Sequence, residues 1–142
     1  MSMQEPKKLK YRKPHRNRGA LRGKATRGAT LAFGSIGLKV VESGELTARQ
    51  IEAARKAMAH SVQRSGKMWI RVFPHTAVTK KAAEVPMGAG KGSLDYFAQT
   101  INSGTIVFEM DGLPQKEARE ALRLAAHKLP LRTKIITSIT VA

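Results

Sequence analysis

The heptapeptide Met87-Gly88-Ala89-Gly90-Lys91-Gly92-Ser93 sets three glycines around one lysine, a composition that can cradle a phosphate or lie flexibly against a polynucleotide. A phosphate-binding P-loop needs G-x-x-x-x-G-K-[ST]. Here Gly92 follows Gly90-Lys91, so the hydroxyl that would hold magnesium is missing, and Val85 stands five positions before Gly90. A dinucleotide fingerprint needs G-x-G-x-x-G, and its last position here is Ser93. Both enzymatic readings fail on spacing. What remains is mechanical: a backbone that can approach a surface closely, N–H groups that can meet phosphate oxygens, and one mobile charge on Lys91.

No other group of residues has the spacing of a catalytic or metal site. The histidines, His15, His60, His75 and His127, lie in separate segments without an H-x-x-x-H pair or an adjoining carboxylate cluster. Glu117 and Glu120 sit among bases on one helical pattern, where an ion pair between Glu120 and Arg123 is the ordinary expectation. No Ser/His/Asp triad can be argued. The chain reads as a binding protein and not an enzyme, with no cofactor and no metal.

Charge names the class of partner. Twenty-six Lys and Arg against ten Asp and Glu give a net +16 in 142 residues. Self-repulsion of that size points to a polyanion, nucleic acid first and an anionic membrane surface second. No apolar run approaches the roughly 18–20 residues of a membrane span, and the basic N-terminus lacks the apolar stretch of a secretory signal. Cysteine is absent, which excludes disulfides and thiolate metal sites. Residues 1–28 carry ten Lys or Arg (Lys7, Lys8, Lys10, Arg12, Lys13, Arg16, Arg18, Arg22, Lys24 and Arg27) against Glu5 alone. With few large apolar side chains, this segment cannot fold alone and is expected to be an arm that orders on a polyanion.

Residues 29–142 carry the folding pattern, and two strands are expected before residue 47. Thr47 and Gln50 form a capping box ahead of a helix whose Ile51, Ala54, Met58 and Val62 share one face, with Arg49, Lys56, His60 and Arg64 opposite and Gly66 as its left-handed end. In "KMWIRVF", Met68, Ile70 and Val72 alternate with Trp69, Arg71 and Phe73, as in a half-buried strand. Residues 74–93 read mainly as an irregular loop carrying Lys80, Lys81 and Lys91. "LDYFAQTI" and "TIVFEM" read as a hairpin turning at Asn102-Ser103-Gly104. A second helix lies between Pro114 and Pro130, burying Ala118, Ala121, Leu122, Ala125 and Leu129, and "LRTKIITSITV" is a last strand. The fold expected is α+β: a two-layer, mixed, mainly antiparallel sheet with two amphipathic helices and an extended basic N-terminal arm.

The segments "PKKLKYRKPHR", "FGSIGLK", "LTARQIEAARKAM", "GKMWIRVFP", "MGAGKG", "VFEMDG" and "ALRLAAHKLPLRTK", in this order, resemble the family of bacterial-type large-subunit ribosomal protein sixteen over nearly the whole chain. The resemblance implies a cytoplasmic protein of the ribosome (an organellar ribosome is the alternative) whose partners are large-subunit ribosomal RNA, tRNA and neighbouring ribosomal proteins. It implies tRNA contact at the aminoacyl site and, as a second contact, the peptidyl site, a part in late subunit assembly, no membrane and no homo-oligomer. The expected ribosomal RNA contacts are the ten basic residues of the arm with Arg49, Lys56, Arg71, Lys80 and Lys81. The tRNA-facing loop implied is Met87, Gly88, Gly90, Lys91 and Gly92. The family's usual loop runs Arg-Met-Gly-Lys-Gly-Lys-Gly; here Pro86 stands for the arginine and Ala89 for the first lysine, and His75 and Ala77 replace the usual Asp and Pro. The rival on charge alone is a general DNA- or nucleoid-binding protein, although no recognition helix or dimer seam is evident.

Overall fold

A computed structural model describes residues 4–138. Its strands are β1 (Ile36–Val40), β2 (Gly44–Thr47), β3 (Lys67–Ile70), β4 (Thr76–Lys80), β5 (Ser93–Ile101), β6 (Ile106–Asp111) and β7 (Thr133–Thr137); its helices are α1 (Ala48–Ser61) and α2 (Gln115–Ala126). The described part of the arm adds one 3-10 turn, Arg18–Leu21. Residues 139–142, the end of the expected last strand, lie outside the described residues.

The architecture is α+β, as expected, but the strands divide between two sheets. One has the order β3-β6-β1-β7 and the other β2-β5-β4, and every paired strand is antiparallel. The helices pack on each other; α2 lies against β1, β6 and β7, and α1 reaches β2 and β5. Leu38, Val40, Phe108 and Met110 of the four-stranded sheet meet Ile51, Met58, Ala121 and Leu122 of the helices in one core. The apolar helix positions read from periodicity are buried, and Arg49, Lys56, His60 and Arg64 opposite them are exposed, as are Lys116, Arg119, Arg123 and His127 of α2 and its end.

Local chemistry explains where α1 starts. The Thr47 side chain accepts from the Gln50 amide at 3.3 Å, and the Gln50 side chain accepts from the Thr47 amide at 3.0 Å, satisfying two N–H groups that a helix start leaves open. Its end comes earlier than expected. The helix stops at Ser61, and Gln63 and Arg64 already have φ of 50° and 63°. Gly66, at φ 69°, instead turns the chain past the Asp111 carbonyl and the Leu113 side chain, where a Cβ would have no room.

Two further expectations are corrected. Residues 76–80 of the supposed loop are a strand, because β-branched Thr76, Val78 and Thr79 pair with β5 and bury Ala77 and Val78. The irregular part is therefore residues 81–92. Asn102-Ser103-Gly104 does turn, with Thr105 N donating to Asn102 O at 3.2 Å, but the flanking strands do not pair with each other. Gly104 N donates to Val40 O at 2.7 Å, so the turn is a corner that sends the chain from the smaller sheet into the larger one.

Candidate nucleic-acid interface

The helices cover one face of the four-stranded sheet. Trp69, opposite Glu109 in the register, and then Arg71 and Phe73 point to the other face, while Met68, Ile70 and Val72 join the core. The arm's exit, residues 29–34, folds back across this second face. Gly37 gives it space: a Cβ there would stand 2.6 Å from the Leu31 side chain. Gly34 runs so near β6 that a Cβ would stand 2.5 Å from the Met110 carbonyl oxygen. Phe33 stacks on Trp69 with ring centroids 6.0 Å apart, and the Arg71 guanidinium lies 5.3 Å from the Phe33 centroid.

Glu109 is the anchor of this arrangement. Its side chain is fully buried, and its carboxylate accepts from the amides of Ala32 (3.1 Å), Phe33 (2.7 Å) and Gly34 (2.8 Å) and from the Arg71 guanidinium. Burial alone would raise the Glu109 pKa. The Gly34 and Phe33 amides, the Arg71 guanidinium and the Ala32 amide outweigh it and hold the carboxyl below its ordinary value. Arg71 also donates to Thr30 O at 3.3 Å. The structure thus commits Arg71, expected among the RNA contacts, to an internal ion pair. Glu109 was not legible as a site residue from its neighbours' chemistry alone. The available signal was one carboxylate inside the apolar run "TIVFEM", where a charge must find a partner.

The described part of the arm lies along the domain. Arg16 forms an ion pair with Glu45. Ala25 N donates to Ser103 O at 2.8 Å, and Gly28 O accepts from Ile106 N at 2.8 Å. Lys7, Lys8, Lys10, Arg12, Lys13, Arg22, Lys24 and Arg27 are exposed, as are Arg49, Lys56 and Lys80 on the folded part. Arg18 opens the 3-10 turn.

The glycine-rich segment is the tip of the β4–β5 hairpin. Gly88, Ala89 and Gly90 all have positive φ, at 106°, 56° and 96°, and Met87 is 96% exposed. Neither lysine at the base of the tip is a free mobile charge. Lys81 Nζ donates to Gly88 O, and Lys91 Nζ donates to Pro14 O at 2.6 Å, tying loop to arm. Gly92 packs closely on Lys80, whose carbonyl oxygen would lie 2.8 Å from a Cβ.

Among the described residues, no group of three or more His, Cys, Asp or Glu could hold a metal ion. Among the same residues, no helix is long and apolar enough to cross a membrane.

The family model for "Ribosomal protein L16p/L10e" matches residues 6–136. The chain is 53% identical over 137 residues to the large ribosomal subunit protein uL16 of Verminephrobacter eiseniae, covering 96% of this chain and 98% of that one. It is 51% identical to uL16 of Rhodopseudomonas palustris, again over 96% of this chain and 98% of that one. With uL16 of a Sulfurihydrogenibium species, identity is 49% over 98% of this chain and 99% of that one. The chain therefore belongs to the ribosomal protein L16p/L10e family, the large-subunit family that its motifs resemble.

Proposed function

We propose that the chain is a structural constituent of the large ribosomal subunit that grips ribosomal RNA with residues 1–28 and the basic sides of its helices. The observation that carries this reading is the set of exposed cations Lys7, Lys8, Lys10, Arg12, Lys13, Arg22, Lys24 and Arg27, laid along a domain whose own core is mainly apolar. Each phosphate neutralised releases counterions, which supplies affinity without base readout. Recognition then follows RNA shape, because A-form helices hide base edges from side chains in a deep, narrow groove. Arg49, Lys56 and Lys80 extend the cationic surface, and Lys81 adds its charge beside the loop.

The loop of Met87, Gly88, Gly90, Lys91 and Gly92 faces tRNA at the aminoacyl site and extends toward the peptidyl site. Its exposed tip and small residues support close approach to a backbone. With Pro86 and Ala89 in place of two cations, that approach relies on shape and N–H groups more than on charge. The protein binds as a single copy, works in the cytoplasm on the assembled particle, and joins the subunit late in assembly.

Co-sedimentation tests the reading. The protein should travel with large subunits at physiological salt and leave them at high salt. A chain that stays free in extracts, indifferent to ribonuclease, ends the proposal. Duplex DNA competing as well as folded ribosomal RNA would transfer it to a general DNA-binding role.

A further inference from the structure

We propose that the hollow between the arm's return, Lys24–Gly28, and the corner of the two sheets holds one unpaired nucleotide of RNA; this rests on the ribosomal RNA reading above. The hollow measures about 570 Å3, and no carboxylate lines it. Its walls carry Lys24, Arg27 and Arg71 together with Phe73 and His75, and its floor includes Gln99.

Each wall matches a part of a nucleotide. Lys24 and Arg27 are exposed and can meet the phosphate. Arg71 is paired with Glu109, so it adds a fixed guanidinium to the wall and no net charge. Phe73 is 46% exposed and offers an aromatic surface at the rim, where a splayed-out base can stack. Gln99 and Asn102 add polar side chains to the lining. A cationic rim and an aromatic surface around a hollow of this size together favour a single nucleotide over the sugar-phosphate backbone of a duplex.

The test is zero-length ultraviolet cross-linking of the full chain bound to large-subunit ribosomal RNA, with adducts located by mass spectrometry. A nucleotide adduct on Phe73 is expected beside those on the arm. Adducts on residues 7–22 with none on Phe73 overturn the proposal and leave the ribosomal RNA reading standing; no RNA binding at all overturns that reading as well. In parallel, Phe73→Leu should weaken RNA binding about tenfold with an unchanged salt slope, and Phe73→Tyr should restore it. The Tyr variant controls for folding, since it keeps both ring and bulk. Equal affinity of wild type and Phe73→Leu, or a Tyr variant as weak as Leu, counts against the stacked base.

Discussion

The Arg71 guanidinium and the Glu109 carboxylate form an ion pair on the helix-free face of the four-stranded sheet, beneath the backbone of residues 32–34. The carboxylate has no contact with solvent, and the arginine side chain is 18% exposed. The pair, with three amides, fastens the arm's exit to a strand more than seventy positions later in the chain.

Glu109→Gln removes the charge from this cluster and leaves Arg71 without a counter-ion. Breaking one side of a buried pair costs about 3 kcal/mol or more. Urea unfolding should show a clear drop in midpoint with little change in slope. Replacing Glu109 and Arg71 together by Gln and Met should cost less than the two single changes added, because neither charge is then stranded. An additive double variant would remove the coupling described above.

The same carboxylate makes stability depend on pH. Its pKa is lower folded than unfolded, so in acid the unfolded chain binds the proton more readily. The contribution is complete above the unfolded value, about 4.3, and is lost as pH falls through the lower folded one. Glu42, Glu52 and Glu120 shift in the same direction through Arg132, Arg55 and Arg123. The gap in stability between wild type and Glu109→Gln, measured by urea titration, should therefore narrow from pH 7 toward pH 3. A constant gap would show that Glu109 acts through shape and not through charge.

Changing Arg12, Lys13 and Arg22 together to Ala should weaken RNA binding and reduce the magnitude of the salt slope by about two to three, at about 0.7–0.9 per phosphate contact. All three are exposed, and none forms an ion pair among the described residues. Their melting temperature should match wild type. Arg16 is left out because its pairing with Glu45 would mix docking of the arm with binding of RNA. An unchanged slope across a salt titration would remove the arm from the interface.

Lys91→Ala should loosen the arm. Its ammonium holds the Pro14 carbonyl, a link between segments 77 positions apart. Limited trypsin digestion should then cut after Lys10 or Arg12 several-fold faster, with no change in cleavage of the helices. Equal cutting rates would show that the other arm contacts hold it alone.

The helices were legible because their signals are local. Thr47 with Gln50, and the spacing of Ile51, Ala54, Met58 and Val62, act within a few turns of one helix. Strand partnership is not local. "LDYFAQTI" and "TIVFEM" look like a hairpin in one dimension, yet Ile106–Asp111 pairs with β1 and β3 instead. Thr76–Lys80 escaped notice because it is short, follows Pro74 and lacks large apolar residues. Arg71 looked like a free cation because its partner lies 38 positions away. The family could be read from its motifs, whereas the hollow near Phe73 depends on segments that meet only when the chain is folded.

The place of β1 in its sheet bears on how the protein is made. Ile36–Val40 lies between β6 and β7, both encoded far downstream. During synthesis from the N-terminus, this strand waits with both edges open until residues 106–137 have emerged, while the cationic leader ahead of it is already out. Non-local pairing of this kind delays closure and leaves nascent edges open to wrong partners. A nascent chain stalled before Thr133 therefore presents all of its basic residues but Lys134 with the large sheet incomplete, and shielding it at that stage is a task for the cell before the subunit ever receives it.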